Sequence, residues 1–172
     1  MKLIYKEIVI HTATHDDAEI LTTWWNDGSI MEHAGFPLGI GTTVEMVKEQ
    51  LLDTSKVRLM IEYESIPIGE MCYIPIDDTT VEIGIKICDQ AYQNRGLGKV
   101  ILSMLIKHLF DIGYQRIILD TMLSNTRAQH VYESLGFIRT AIHYDSWKDQ
   151  LGILRSSVDY ALSPEHFKNY MK

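Results

Sequence analysis

The sequence predicts one α/β domain whose core is a βαβ crossover inserted in a mixed sheet. Three observations predict this class. Short apolar, strand-like runs alternate with segments in which apolar residues recur at helical spacing. The longest helical segment, at residues 96–111, lies between strand-like runs at residues 81–87 and 116–122. No repeat, low-complexity tract or Pro/Ser-rich linker divides the 172 residues, so we expect a single domain over residues 1–172.

The N-terminal third is predicted to contain one strand and two helices. Residues 3–12 form an apolar run that predicts a strand. Thr14, with an acid three residues later, resembles a capping box, and apolar residues follow at helical spacing as far as Trp25. The Asn-Asp-Gly run at residues 26–28 ends that helix, and a second helix is predicted over residues 42–52.

The remaining elements complete the order β-α-α-β-β-β-α-β-α-β-β. The predicted strands are at residues 57–63, 68–74, 81–87, 116–122, 138–144 and 153–161, and the helices at residues 96–111 and 126–135. The first of these helices presents one broad apolar face. Gly113 and Gly136 end the two helices.

Charge and hydropathy exclude some classes of partner. The chain carries 16 Lys and Arg against 23 Asp and Glu, a formal net charge of −7. This balance argues against a nucleic-acid partner and is compatible with a cationic acceptor. No apolar run approaches the roughly 20 residues that span a bilayer, and the first residues contain no signal-peptide cleavage site. We therefore expect a cytoplasmic protein with no membrane contact.

Neither the cysteines nor the histidines form a metal or disulfide pattern. Cys72 and Cys88 both lie in apolar strand-like runs, and we expect two buried free thiols. His11 and His15 are four residues apart but straddle a strand end and a helix start. The 7 histidines include no His-Glu-x-x-His pattern, so no metal is predicted.

The turn at residues 91–99 is the most informative stretch of the sequence. Gly96 and Gly98 allow the backbone to approach a ligand closely. The first N–H groups of the following helix have no intrahelical partner, and the helix dipole favours negative charge there. Arg95 and Lys99 add positive charge at the same end. The turn is therefore a candidate pyrophosphate site; the alternative is a plain strand-to-helix turn in which Gly only relieves strain.

Single positions exclude two other phosphate-binding loops. A Walker A loop requires Gly five residues before Gly98, where this chain has Gln93. It also requires Ser or Thr after the lysine, where this chain has Val100. A dinucleotide-binding fingerprint requires a third Gly at the position of Ile101.

Four blocks of the sequence resemble the motifs of one enzyme family. Residues 93–98, Gln-Asn-Arg-Gly-Leu-Gly, resemble the Q/R-x-x-G-x-G/A acetyl-CoA motif of the GNAT superfamily of N-acetyltransferases. Residues 82–87 resemble the strand that precedes this motif. The blocks Asn-Thr-Arg-Ala at residues 125–128 and Tyr-Glu-Ser-Leu-Gly-Phe at residues 132–137 resemble the family's next motif. The blocks occur in the family's order and spacing, and the flanking elements extend the resemblance to the whole chain.

The resemblance implies a GNAT-like fold with acetyl-CoA as its cofactor and no metal. In this fold a central, mostly antiparallel sheet has helices on both faces. The strands at residues 81–87 and 116–122 splay apart, helped by a β-bulge near Gly84, and pantetheine pairs with the first of them. Asn125 either hydrogen-bonds the cofactor or only caps the following helix. The implied cofactor-binding residues are Ile85, Lys86, Ile87, Gln93, Asn94, Arg95, Gly96, Leu97, Gly98, Lys99, Asn125, Ala128 and Tyr132.

Tyr132 stands at the position of the family's general-acid tyrosine; its alternative role is that of a core aromatic. A hydroxyl with a pKa of about 10 suits protonation of a departing thiolate. The base has two candidates, Glu82 first and Asp120 second, because a lone acid in an apolar strand must face solvent or a cleft. A water chain without a single base is the remaining alternative.

The acceptor pocket is expected between the N-terminal helices and the late strands. Adjacent residues are about 100° apart on a helix, so at most one of Trp24 and Trp25 is expected to face the core fully. The pattern from Trp24 to residue 37 resembles the branch that contains ribosomal-protein N-terminal and aminoglycoside 6′-acetyltransferases. The candidate substrate-binding residues are Trp25, Met31, His33, Phe36 and Glu70, and the alternative is that the aromatic residues only pack the helices on the sheet.

The predicted function is acetyl-CoA-dependent N-acetylation by direct attack of an amine on the thioester. The acceptor is a primary amine of a small molecule or peptide, such as an aminoglycoside, a polyamine or a protein N-terminus. A non-catalytic acyl-CoA-binding sensor or scaffold is the alternative, although Tyr132 and Asn125 favour an enzyme. A longer acyl donor stays open, and the resemblance is compatible with a homodimer through the late strands.

Overall fold

The computed structural model describes residues 1–172 and contains one eight-stranded sheet. Its strands are β1 (Lys2–Tyr5), β2 (Ile8–Thr12), β3 (Val57–Tyr63), β4 (Ile66–Pro75), β5 (Thr80–Ile87), β6 (Arg116–Met122), β7 (Ile138–Lys148) and β8 (Leu154–Leu162). Its helices are α1 (Ala18–Trp25), α2 (Gly28–Met31), α3 (Val44–Gln50), α4 (Leu97–Asp111) and α5 (Thr126–Ser134). The spatial order is β1-β2-β3-β4-β5-β6-β8-β7, in which β5 and β6 form the one parallel pair. The mixed, mostly antiparallel sheet is therefore confirmed.

The sheet separates two apolar cores. The larger core lies between the sheet and helices α4 and α5, and the smaller one lies between the sheet and helices α1 to α3. Strand β3 contributes to both, because Leu59 and Ile61 belong to the larger core and Met60 to the smaller. The capping box at Thr14 precedes α1 as predicted. Helices on both faces of the sheet are thus confirmed.

Two predictions for the N-terminal part of the chain are wrong. The apolar run at residues 3–12 is a hairpin and not one strand, since Tyr5 pairs with Ile8 and Lys6 takes the left-handed conformation of a tight turn (φ 51°). Trp24 and Trp25 are both buried, with 8% and 3% of their surface exposed. Helix α1 packs on the sheet and on α3, so it is apolar on more than one side.

The parallel strands β5 and β6 part from each other halfway along their length. They pair only from Thr80 opposite Arg116 to Glu82 opposite Ile118, and beyond that point neither strand bonds to the other. The splayed pair is therefore confirmed, but the expected bulge at Gly84 is wrong. The register between β4 and β5 runs unbroken past Gly84, and the irregularity lies instead between β3 and β4, at Ile61 and Glu62.

The helices are short in relation to a bilayer. The longest, α4, has 15 residues, and no helix combines the length and apolar character that crossing a membrane requires.

Candidate active site

A cavity of about 830 Å³ opens where β5 and β6 part. Its walls come from the two parted strands, from the N-terminal ends of α4 and α5, and from the segment around α2 on the opposite side. Trp147, near the end of β7, closes the wall beside α2. Cavities of this size and concavity are typical of small-molecule sites.

The turn before α4 presents unpaired main-chain amides to this cavity. Asn94 (φ 56°) and Gly96 (φ 76°) both adopt the left-handed conformation. No side chain caps α4, and the main-chain amides of residues 94–99 donate no hydrogen bond in the turns, loops or caps. Successive unpaired amides at the positive end of a helix dipole form an anion-binding concavity. The turn can therefore hold a phosphate or diphosphate group.

Gly98 leaves open space in the wall of the cavity. A Cβ at this position meets only the Cδ1 atom of Ile87, at 3.9 Å, which is ordinary contact. The backbone of Gly98 does not adopt a positive φ. The absence of a side chain is therefore not required by the packing of the protein, and it keeps the first turn of α4 accessible from the cavity.

Arg127 and Gln93 tie the turn to the neighbouring elements. Gln93 Nε2 donates to the carbonyl oxygen of Ile87 at 2.8 Å. Arg127 donates to Gln93 Oε1 at 3.1 Å and to Asn94 Oδ1 at 3.3 Å. Arg127 thus brings a positive charge from α5 to the anion-binding turn. Arg95 instead lies over the ring of Tyr92 and is absent from the cavity wall.

Asn125 lies at the N-terminus of α5 and also on the cavity wall. Its Oδ1 accepts a hydrogen bond from the amide of Ala128 at 3.3 Å, so Asn125 caps the helix. Its side-chain NH2 group has no partner in the protein and remains available to a ligand. Across the cleft, β5 beyond Glu82 has one unpaired edge, which can bond an extended ligand as another strand would.

Tyr132 places an unpaired hydroxyl on the cavity wall. The residue is 7% exposed, and its ring packs against Phe137 and Tyr160 with centroids 5.9 Å away in each case. The hydroxyl makes no hydrogen bond within the protein, although the residue lines the cavity. Burial, together with the Asp120 carboxylate and Tyr160, raises the pKa of Tyr132 to about 12. Tyr132 is therefore protonated at neutral pH and can act as a proton donor.

Three acids lie together on the opposite face of the sheet from the larger core. Asp120 pairs across the strands with Asp159, and Glu82 lies on the adjacent strand β5. Burial and the Asp159 carboxylate raise the pKa of Asp120, and burial and the Asp120 carboxylate raise the pKa of Glu82. Asp159 accepts from His143 Nε2 at 2.7 Å. Of these acids, only Asp120 lines the cavity.

Glu70 is buried beside the cavity and holds two cations. Its carboxylate accepts from Trp25 Nε1 at 2.7 Å, from an Arg58 NH group at 2.9 Å and from Lys86 Nζ at 3.0 Å. The Arg58 guanidinium also stacks over the Trp25 ring at 4.4 Å. Burial opposes ionisation of Glu70, but the charges of Lys86 and Arg58 and the Trp25 donor outweigh it and lower the pKa of this carboxyl. Glu70 therefore stays ionised and orients both cations.

Replacing Glu70 by Gln is expected to lower the free energy of unfolding at pH 7 by about 3 kcal/mol, because Arg58 and Lys86 lose their buried counter-charge. The folded pKa of Glu70 lies below its ordinary value of 4.5, so its contribution is complete above that pH. This contribution to the free energy of unfolding is lost as the pH falls through the pKa that Glu70 has in the folded protein. Urea unfolding of both proteins between pH 7 and pH 3 measures the difference.

The matched control is Asp111→Asn, which removes an exposed carboxylate from its ion pair with Lys107 on α4. This variant is expected to unfold like the parent protein at pH 7. Equal free energies of unfolding for the parent and Glu70→Gln at pH 7 would contradict the role of Glu70 as the ionised anchor of this cluster.

Most of the predicted binding residues line the cavity, and the others lie away from it. All the predicted cofactor-binding residues except Arg95 line the cavity. Among the predicted substrate-binding residues, His33 and Glu70 line it, whereas Trp25 and Met31 are buried in the smaller core. Phe36 is 38% exposed and lies away from the cavity wall. The aromatic residues of α1 therefore pack the helices on the sheet, and only the α2 segment reaches the cavity.

Four residues on the cavity wall, Lys56, Arg58, Arg127 and Trp147, are not among the site residues that the sequence predicts. Arg58 had a readable signal, because a cation in an otherwise apolar strand requires a nearby partner. Arg127 lies inside a recognised block but was not singled out. Lys56 and Trp147 had no local signal, since only the pairing of distant strands brings them to the cavity.

The comparisons with known proteins agree with this geometry. The model of the acetyltransferase (GNAT) family matches residues 21–137. N-acetyltransferase 8 of Homo sapiens is 25% identical over 101 residues, which cover 56% of this chain and 44% of that protein. The ribosomal protein bS18 alanine N-acetyltransferase of Haemophilus ducreyi is 30% identical over 101 residues, which cover 59% of this chain and 68% of that protein. The chain thus spans less than half the length of the first of these relatives.

Solved structures share the whole fold. A ribosomal protein alpha-N-acetyltransferase (RimL) in complex with coenzyme A has a TM-score of 0.84 at 14% identity, covering 95% of this chain and 98% of that one. Spermidine N-acetyltransferase from Vibrio cholerae, in complex with coenzyme A and spermine, has a TM-score of 0.81 at 16% identity, covering 94% and 98%. At these identities the likeness concerns the fold. Since the family model matches well over half of the sequence, the chain belongs to the acetyltransferase (GNAT) family.

Proposed function

We propose that this chain is an acetyl-CoA-dependent N-acetyltransferase that acts on a primary amine. The observation that supports this function best is the arrangement of one continuous cavity. An anion-binding turn with Lys99 and Arg127 lies on its wall, and Tyr132 and Asp120 line the same cavity. The unpaired edge of β5 runs along the cleft and suits an extended ligand.

The residues of the cavity fit coenzyme A. The unpaired amides at residues 94–99 and the cations of Lys99 and Arg127 suit its diphosphate. The edge of β5 after Glu82 suits the amide groups of the pantetheine arm. Two of the structurally similar acetyltransferases carry coenzyme A in their complexes, which supports the same ligand for this fold.

Acetyl-CoA, when bound, supplies an acyl group activated as a thioester. In this proposal Asp120 accepts the proton that the acceptor ammonium must lose before it attacks, either directly or through a water molecule. Its raised pKa makes Asp120 a better proton acceptor than an ordinary aspartate. The Asp159 carboxylate, paired across the strands, holds negative charge beside Asp120, and Glu82 lies on the adjacent strand. Tyr132 donates a proton to the departing sulfur, for which a protonated, unpaired hydroxyl is required.

The test is incubation of the purified protein with acetyl-CoA and a panel of primary amines, with products identified by mass spectrometry. Mass detection is preferable to a thiol reagent, because Cys72 and Cys88 are free thiols of the protein itself. We expect an amine product that is heavier by one acetyl group, formed together with coenzyme A. Binding of acetyl-CoA without transfer to any amine would instead support a non-catalytic binding module. A homodimer through the late strands and a cytoplasmic location stay predictions.

A further inference from the structure

We propose that the acceptor carries a carboxylate in addition to its reactive amine, as a free amino acid does. This inference rests on the proposed function and narrows its substrate class. It is carried by three cationic side chains, Lys56, Arg58 and Lys86, that line the cavity together with Asp120. Cations on the cavity wall oppose the binding of a purely cationic acceptor.

The cations exceed the negative charge that holds them. Glu70 is the carboxylate that pairs with both Arg58 and Lys86, so one positive charge of this group remains without a counter-charge. Lys56 also lines the cavity and makes no hydrogen bond or ion pair within the protein, but the Glu82 carboxylate lies close enough to interact with its charge. An excess of positive charge in a concave site attracts an anion and raises its local concentration.

Arg58 is prepared for a planar anion. Glu70 and the Trp25 ring hold its guanidinium, and the side chain is only 17% exposed. Its bond to Glu70 uses one terminal nitrogen, so further N–H donors of the planar group have no partner in the protein. An oriented guanidinium binds a carboxylate through two parallel hydrogen bonds, which an ammonium cannot do.

The sheet register leaves room between the guanidinium and the parted strands. Arg58 lies opposite Cys72, and Cys72 lies opposite Gly84, so one small side chain and one glycine separate Arg58 from the cleft. Lys86 lies on the same face of β5 as Gly84, two residues further along. Because Cys72 and Gly84 are small, no bulky side chain separates Arg58 and Lys86 from the acceptor side of the cavity.

The negative side of the site lies across the cleft. Asp120 and Asp159 stand on β6 and β8, and Glu32, paired with His33, lines the cavity from the segment that contacts β6. Neighbouring strands are about 5 Å apart when paired, and β5 and β6 have parted here. A carboxylate at Lys86 therefore lies across the cleft from an amine at Asp120, whereas Arg58 stands two strands further on, on β3, so the acceptor must extend from β6 toward β3 to reach both cations. The second ammonium of a diamine in the same position would meet like charge.

The test compares matched acceptors on the parent enzyme. An amino acid is compared with its carboxamide and with the amine that remains after decarboxylation, for example lysine, lysinamide and cadaverine. A charged hydrogen-bonded pair corresponds to roughly a 10- to 100-fold change in kcat/KM, and we expect the amino acid to be preferred by that factor. Amidated peptides beginning Ala-Asp and Ala-Asn distinguish an acidic peptide end from a free amino acid as the source of the carboxylate.

Two variants test whether Lys56 and Arg58 bind the carboxylate of the acceptor. Lys56→Met removes a cavity cation that makes no hydrogen bond or ion pair within the protein, and Arg58→Lys keeps the charge opposite Glu70 but loses the planar guanidinium. Each is expected to lower the preference for carboxylate over carboxamide by about 10-fold. Lys107→Met, on the exposed side of α4, is the control and leaves the preference unchanged. Thermal melting of each variant shows whether it is folded.

The outcomes separate the two proposals. Acetylation of carboxamides and decarboxylated amines at least as efficiently as the amino acids would overturn the inference and leave the proposed function intact. A preference that survives in both Lys56→Met and Arg58→Lys would also overturn it. Coenzyme A binding with no acetylation of any acceptor would overturn the proposed function itself and this inference with it.

Discussion

Gly98→Asp is expected to weaken coenzyme A binding at least about 100-fold and leave the protein folded, because one added carboxylate within a few Å of the diphosphate opposes it by several kcal/mol. The Cβ at this position meets only Ile87, at 3.9 Å, so the substitution fits the packing of the free protein. An acid in the first turn of a helix is also favourable to the helix dipole. Thermal stability should therefore be unchanged or higher while binding is lost.

Gly98→Asp should change thermal stability and coenzyme A affinity in different ways. A structural defect would lower both, whereas a carboxylate in the diphosphate site lowers only binding. Isothermal titration with coenzyme A and a thermal melt measure the two quantities on one sample. The control is Met46→Asp, which places the same group in the first turn of α3, where Met46 is 51% exposed and away from the cavity. If Gly98→Asp binds coenzyme A as tightly as the control, the diphosphate does not lie at this turn.

Tyr132→Phe is expected to lower kcat by about 100-fold or more, the usual contribution of a positioned general acid, with little change in coenzyme A affinity. The hydroxyl has no partner in the protein, so its removal leaves no buried group unsatisfied. The ring packing against Phe137 and Tyr160 is retained in the variant. Steady-state kinetics with a good acceptor and calorimetry with coenzyme A separate the loss of turnover from any loss of binding.

Tyr160→Phe is the matched control for this variant. It removes the same group from a ring whose centroid lies 5.9 Å from that of Tyr132. The Tyr160 hydroxyl donates to Glu133 at 2.9 Å and does not line the cavity, so this variant should lose about 1 kcal/mol of stability and keep its turnover. Equal turnover in Tyr132→Phe and the parent enzyme would remove Tyr132 from the mechanism.

The sequence predicted most of the residues on the wall of the cavity around α4 and α5, because the signals there are local. Gly96, Gly98 and the start of α4 are contiguous in the chain, and a helix N-terminus carries its unpaired amides wherever it lies. Asn125 and Tyr132 are likewise seven residues apart on the same short element. The turn at residues 94–99 therefore follows from a few adjacent residues and needs no long-range information.

The acceptor side could not be predicted in the same way, because pairs of distant residues define it. Nothing in the sequence near Glu70 indicates that it pairs with Arg58 and Lys86. These three residues come together only through the register of strands β3, β4 and β5. The choice between Glu82 and Asp120 was open in the sequence, because which of these acids lines the cavity depends on where β5 and β6 part. Trp25 looked like a pocket residue, but its indole N–H is used by Glu70.

The most direct test of the account compares coenzyme A with pantetheine, which lacks the diphosphate and the 3′-phosphoadenosine attached to it, by isothermal titration of the folded parent protein. We predict one site per chain, a micromolar dissociation constant for coenzyme A and at least about 100-fold weaker binding of pantetheine, since charged hydrogen bonds to the main-chain amides of residues 94–99 are lost. Equal affinities for the two compounds, or no heat with coenzyme A at all, would contradict the claim that this turn binds a diphosphate.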